Sequence, residues 1–176
     1  PSAQVTQNIT VADTTISSGS YRYYRLKSSA VYKVVNSSLE LGTGTGDHFY
    51  IEEFNLFTGA GQSGTQYPGT MTANTTGSEV ASSNHEFSAT YASWKAFDRN
   101  SATGNWSLSS NDAMATEFLK IDLGTARTAV SFKVECNTAY RSQNILIEGS
   151  NDDSSYTTVA EINGVPGHTI ADVGGI

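Results

Sequence analysis

Cysteine and proline are almost missing from this chain, with one Cys and three Pro in 176 residues. A single thiol, Cys136, excludes an intrachain disulfide, so packing must hold the fold without covalent staples. Charge is sparse too: Asp, Glu, Lys and Arg make up 15 %, and the net charge is −7. No basic run is longer than Arg22 to Lys27, and Tyr interrupts that one. This excludes a phosphate-tracking nucleic-acid surface. No apolar run is long enough to cross a bilayer, and no leader pattern is present. The first residue is Pro, not Met, so we expect a processed chain or one cut from something longer. The three His, at 48, 85 and 168, lack metal-site spacing, and there is no nucleophile elbow or phosphate loop. Adjacent Glu52 and Glu53 on a strand point to opposite faces and cannot act together as a glycosidase acid pair. We therefore expect no enzyme.

The chain is rich in Ser, Thr, Gly and Asn, with nine Tyr, seven Phe and two Trp spread along it. That composition suits short strands joined by polar turns and argues against disorder. Alternation predicts strands at Tyr21 to Lys27, Ala30 to Val35, His48 to Phe57, Glu117 to Leu123, Thr128 to Cys136, Asn144 to Ser150 and Tyr156 to Ile162. Phe132, Val134 and Cys136 share one face, which makes the thiol a buried, inert one. "SNDDSS" between the last two strands reads as a hairpin turn, "ASWKAF" as one short helical turn, and "GTGTGD" (Gly42 to Asp47) as a hairpin loop. Thr58 to Gly69 is Gly-rich and lacks an apolar pattern, so it reads as a linker between 1–57 and 70–176. The first part, with about three strands, is too small to close a core alone. The expected fold is an all-β, antiparallel jelly-roll sandwich in one domain, 1–176.

Four stretches occur in order: "EVASSN" (Glu79 to Asn84), "KAFDRNSATGNW" (Lys95 to Trp106), "EFLKIDLG" (Glu117 to Gly124) and "ILIEGSNDDSSYTTV" (Ile145 to Val159). Together they resemble the discoidin, or coagulation-factor C-type, domain and the galactose-binding-like carbohydrate-binding modules. Residues 21–57 resemble the C-terminal end of the same family, so the strand order looks circularly shifted. The chain is either a permuted module or a window across a tandem array, and we favour the first because closing about a dozen flexible residues is cheap. The resemblance implies about eight strands, with binding loops gathered at one end.

The resemblance also implies a structural calcium in the loop "AFDRNSAT". Ala96 and Asn100 would give carbonyls, Asp98 a carboxylate, and Thr103 a carbonyl and its hydroxyl. Glu53 would close the site, and Glu52 would add a backbone oxygen. Calcium takes six to eight such oxygens. The plain alternative is an Asx turn at Asp98 with Thr103 bonded to the backbone. The family more often has Gly where this chain has Arg99, a departure that counts against the family's turn geometry here, since Gly is preferred where φ is positive. The matching family Trp packs between the sheets, which implies a core role for Trp106.

A sugar site needs an aromatic face and a few planar polar groups. His85, Phe87, Trp94, Tyr140 and Arg141 are the candidates, the last two in a polar loop, with all these loops sharing one rim by the resemblance. Each also has an ordinary use, as packing, solvation or surface pairing. The expected function is a non-catalytic carbohydrate-binding or adhesion module on a cell or virion surface, with a glycan or glycoprotein as partner and no nucleic acid. The competing expectation is a self-assembling building block of a virion (tail or capsid decoration) or an extracellular fibre. A membrane surface ranks third, since only Trp94–Lys95 offers an apolar spike beside a cation. Four N-x-Ser/Thr sequons, at Asn8, Asn36, Asn74 and Asn105, decide nothing about glycosylation.

Overall fold

The chain's alternating aromatic and aliphatic residues form two antiparallel sheets packed face to face. The computed structural model describes residues 19–35, 38–42, 50–101, 106–107, 117–136 and 140–162, with backbone alone at 28–35, 38–42, 106–107, 136, 140–144 and 162. Eleven strands lie in the described residues: β1 (Ser20–Val35), β2 (Ser38–Gly42), β3 (Tyr50–Gly59), β4 (Ser63–Tyr67), β5 (Thr75–Thr76), β6 (Glu79–Ser83), β7 (Trp106–Ser107), β8 (Leu119–Thr128), β9 (Ser131–Cys136), β10 (Tyr140–Ser150) and β11 (Thr157–Ile162). Every pairing is antiparallel. The all-β sandwich expected from the sequence is what forms. The strand number exceeds the expected eight because short pieces such as the two-residue β5 and β7 also pair.

The larger sheet runs β11-β10-β1-β8-β6-β5, with β2 also on β1. β1 merges the two expected strands, Tyr21 to Lys27 and Ala30 to Val35, into one of 16 residues. Along one edge its first half pairs with β8 and its second half with β2, while β10 follows the other edge. In the smaller sheet, β3 is central. β4 and β9 both pair with Leu56 and Phe57, so they flank opposite edges, and β7 lies beyond β4 on the same edge.

Period-2 alternation sets what is buried. Tyr24 and Leu26 of β1, Leu119 and Ile121 of β8 and Ile147 of β10 are fully buried; so are Phe54 of β3 and Phe132 of β9 on the facing sheet. Tyr24 meets Phe132 across the sandwich with ring centroids 6.0 Å apart, and Phe54 stacks on Phe132 at 6.4 Å. Each such side chain contributes roughly 1.5–3 kcal/mol through burial. The Tyr24 hydroxyl keeps its hydrogen bonds, donating to the Arg127 carbonyl at 2.7 Å and accepting from Ala129 N–H at 3.3 Å. Burial pushes this phenol up to about 12, so it remains a donor at any physiological pH.

Thr58–Gly69, read above as a linker, is instead the end of β3, a turn, and β4. Gly61, Gln62 and Gly64 take positive φ there, which lets the chain reverse onto β3. Glycine content suggested flexibility, whereas here it serves a hairpin. The "SNDDSS" turn joins β10 to β11 as expected, with Asp153 at φ 59° and Asp152 accepting from the Ser154 and Ser155 amides. "ASWKAF" becomes a 3₁₀ turn, Ser93–Phe97, preceded by another at Ala89–Tyr91. Residues 43–47 of the expected hairpin loop, and the 1–7 and 164–176 ends of the suggested permutation, lie outside the described residues.

Replacing Tyr24 with Phe removes the hydroxyl that serves two backbone groups, the part-buried Arg127 carbonyl and the buried Ala129 amide. The expected result is a loss of about 1–2 kcal/mol in denaturant unfolding, with the fold retained. A variant as stable as the parent would show that those groups find other partners.

Candidate functional site

The second 3₁₀ turn brings the loop ends together. Ala96 and Phe97 are fully buried against β3, with the Phe97 ring 5.9 Å from Phe54, and Met71 N–H donates to the Phe97 carbonyl at 3.1 Å. This anchors the chain just before Asp98, Arg99 and Asn100. Arg99 takes φ +61°, the left-handed conformation for which the family's Gly is suited. Its Nη2 donates to the Pro68 carbonyl at 3.1 Å, which holds the side chain of this strained residue.

Glu53 and Asp98 meet at one amide. Asn100 N–H lies 2.6 Å from Glu53 Oε1 and 2.9 Å from Asp98 Oδ1. Glu53 is 1 % exposed, and its other oxygen accepts from Asn55 Nδ2 at 2.9 Å. Burial raises the Glu53 carboxyl to about 7, partly opposed by the Asn55 and Asn100 hydrogen bonds and reinforced by the nearby charges of Asp98 and Glu135. Burial also raises Asp98, against the pull of Asn100, Glu53 and Lys95. Glu52 is nearly buried as well, next to a register shift between Ile51 and Glu53. The strict alternation expected for this adjacent pair therefore does not apply: a bulge lets both carboxylates leave solvent. Of the expected calcium ligands, Asp98, Asn100 and Glu53 come together, Glu52 adjoins Glu53 on β3, and Ala96 is buried in the 3₁₀ turn that leads into Asp98. Thr103 lies outside the described residues. Among the described residues, no group of three or more His, Cys, Asp or Glu side chains is arranged to hold a metal. Any ion here would depend heavily on carbonyl oxygens.

The expected sugar-binding residues divide. His85 and Phe87 sit on an exposed loop after β6, and Phe87 is 54 % exposed. Phe87 meets Tyr91 edge-on at 5.7 Å, and Tyr91 meets Tyr50 at 5.9 Å, which gives a short aromatic row. Glu86 supports this loop from beneath, accepting from Ser93 N–H at 2.7 Å, Ser93 Oγ at 2.6 Å and Asn74 Nδ2 at 3.0 Å. Burial opposes its ionisation, but the Ser93 and Asn74 hydrogen bonds outweigh burial and leave the carboxyl below its usual range. Asn74 also accepts from Trp94 N–H at 3.0 Å, so the side chain of this sequon residue is engaged inside the loop network. His85 Nδ1 lies 3.8 Å from the buried Glu117. Trp94 packs against the core while half-buried, with Lys95 Nζ 5.1 Å from its ring centroid. Tyr140 and Arg141 are not in a loop: they begin β10, opposite Lys33 and Tyr32. The polar "NTAYRSQ" sequence hid this because the pairing partner, not apolar alternation, makes the strand. The Tyr140, Arg141 and Trp106 side chains lie outside the described residues.

Sequence reading missed a polar groove on the outer face of the smaller sheet. It holds about 310 Å³ and is lined by Glu53, Asn55, Phe57, Gln62, Gln66, Arg99, Ser101 and Lys133. Gln66 Nε2 donates to Asn55 Oδ1 at 2.7 Å, Lys133 Nζ meets Glu135 Oε1 at 2.5 Å, and the Ser101 hydroxyl donates to Glu135. The available signal was the polar series Glu53, Asn55 on a strand whose neighbours are apolar. It resembles an ordinary solvated face until β4 and the Arg99 turn wall it in.

Residues 95–174 match the F5/F8 type C family described as the NedA-like, galactose-binding domain. Over those residues the chain is similar to galactose-binding-like, discoidin-type domains, and the antiparallel β-sandwich is consistent with that similarity. Neither curated proteins nor solved structures gave a match.

The Glu53 carboxyl gives a pH prediction for protein kept free of divalent cations. Its folded value, about 7, lies above the ordinary 4.5. Its effect is therefore neutral below pH 4.5, and stability is lost as pH rises toward 7, by about 3 kcal/mol in all. The stability difference between Glu53→Gln and the parent should widen by that amount over this range in urea unfolding. A difference that stays flat with pH would refute the raised carboxyl.

Proposed function

We propose that this domain is a carbohydrate-binding module that acts without catalysis on a cell or virion surface. The observation that carries the reading is Phe87, held exposed and edge-on to Tyr91 at the loop end of a galactose-binding-like sandwich. An exposed ring gives the C–H face of a pyranose a platform, and His85 beside it offers a polar group for a hydroxyl. The Glu86–Ser93–Asn74 network fixes that platform in advance, which lowers the ordering cost of binding. Trp94, packed on the core, acts as a support. The partner is a glycan or glycoprotein.

The same reading includes a calcium at Glu53 and Asp98, with the carbonyls of Ala96 and Asn100, Thr103, and a backbone oxygen of Glu52. Two carboxylates drawn to one amide, one of them buried, fit a hard cation, which would favour their ionised forms. Its contribution would be structural, tying β3 to the 98–101 turn.

Two experiments test this. Phe87→Ala should weaken binding to any array-identified glycan at least tenfold, while leaving the unfolding midpoint close to the parent's. Unchanged affinity would remove Phe87 from the site. Calcium at a hundredfold excess over its Kd should raise the unfolding midpoint by roughly 5–10 °C. Asp98→Asn should abolish that rise, and an equal rise in the variant would place the ion elsewhere.

A further inference from the structure

We infer that the groove on the outer face of β9, β3 and β4 is a second ligand site, separate from the Phe87 rim, for a short neutral saccharide. Its lining carries three side-chain amides, from Asn55, Gln62 and Gln66, together with Arg99, Lys133 and Ser101, over an apolar floor at Phe57. Planar amides and guanidinium present paired donors and acceptors, and vicinal hydroxyls are matched by such pairs. The volume, about 310 Å³, falls at the lower end of the range of roughly 300–1,000 Å³ for small-ligand sites.

The charges choose between ligand classes. Lys133 is matched by Glu135 at 2.5 Å, and Glu53 is held by Asn55 and the Asn100 amide. A polyanion entering the groove would face Glu53 and Glu135, and a cation would face Arg99 and Lys133. A neutral, hydroxyl-rich ligand meets donors and acceptors without either conflict.

The groove is also pre-ordered. Gln66 is bonded to Asn55 and Asn55 to Glu53, which makes a chain of side chains across β4 and β3. Arg99 stands on the rim in a left-handed conformation that costs a non-glycine residue on the order of 1 kcal/mol. Glycine would relieve that cost but would remove the guanidinium that Pro68 fixes beside the groove.

The Arg99 conformation supplies the test, because Arg99→Gly deletes the side chain at a backbone position that glycine tolerates. The parent, Arg99→Gly, Gln66→Ala and Phe87→Ala would be screened on a printed array of neutral and acidic oligosaccharides. Titrations of the best neutral binder would be followed by amide chemical shifts. We expect at least one neutral glycan to shift amides in 53–57, 62–66 and 131–135. Arg99→Gly and Gln66→Ala should each weaken it fivefold or more, with unfolding midpoints at or near the parent's, while Phe87→Ala leaves those shifts in place. The inference is overturned if neither groove variant changes any affinity, if shifts are confined to 84–94, or if the parent binds no neutral glycan at millimolar concentration. Loss of all binding in Phe87→Ala alone would leave the rim reading standing and remove this one.

Discussion

The contact between Glu53 and the Asn100 amide joins parts of the chain that could otherwise fold apart. β3 lies early in the sequence and the 98–101 turn nearly fifty residues later, yet one buried carboxylate spans them. Burying an acid is costly, and here the cost is offset only in part by two hydrogen bonds. The outcome is a joint that fixes position well while remaining electrostatically unsatisfied. Such a joint suits a place where loops must be held in register for binding.

From that joint two surfaces diverge. One is the exposed row of Phe87 and Tyr91, carried on loops that are braced by Glu86. The other is the amide-lined groove behind β3, closed by Arg99. Both adjoin the 3₁₀ turn at Ser93–Phe97: its buried Ala96 and Phe97 anchor it, its Ser93 bonds to Glu86 of the Phe87 loop, and Arg99 follows just after its end. A rigid sandwich with functional groups on its connections is a common division of labour in β proteins.

The longer strands were legible because period-2 alternation is a direct consequence of one buried face. Tyr24 and Leu26 of β1 and Leu119, Ile121 and Leu123 of β8 keep it, whereas β3 is buried on both faces from Ile51 to Phe57. What could not be read was pairing. Tyr140 and Arg141 look like loop residues until β1 supplies partners, and Ser63–Tyr67 looks like a linker until β3 does. The meeting of Glu53 with Asp98 followed from the family resemblance and from no local signal. The groove was hidden because Asn55, Gln66 and Lys133 are each ordinary as outward residues; only the sheet register sets them side by side. The positive φ at Arg99 had no signal in the residue itself; the family's Gly there put the turn geometry in question, and the turn keeps the left-handed conformation with Arg in place.

The place of β1 has a consequence for synthesis. It is the first described strand to leave the ribosome, yet its long partners, β8 and β10, begin at residues 119 and 140. At ordinary elongation rates that leaves a 16-residue strand without those neighbours for on the order of ten seconds. Arg22, Arg25, Lys27 and Lys33 interrupt its tyrosines and valines, and in the finished sheet Arg22 and Arg25 pair with Asp122 and Glu148. Before those acids have been translated, the same cations would serve as gatekeepers, keeping nascent chains from pairing with one another.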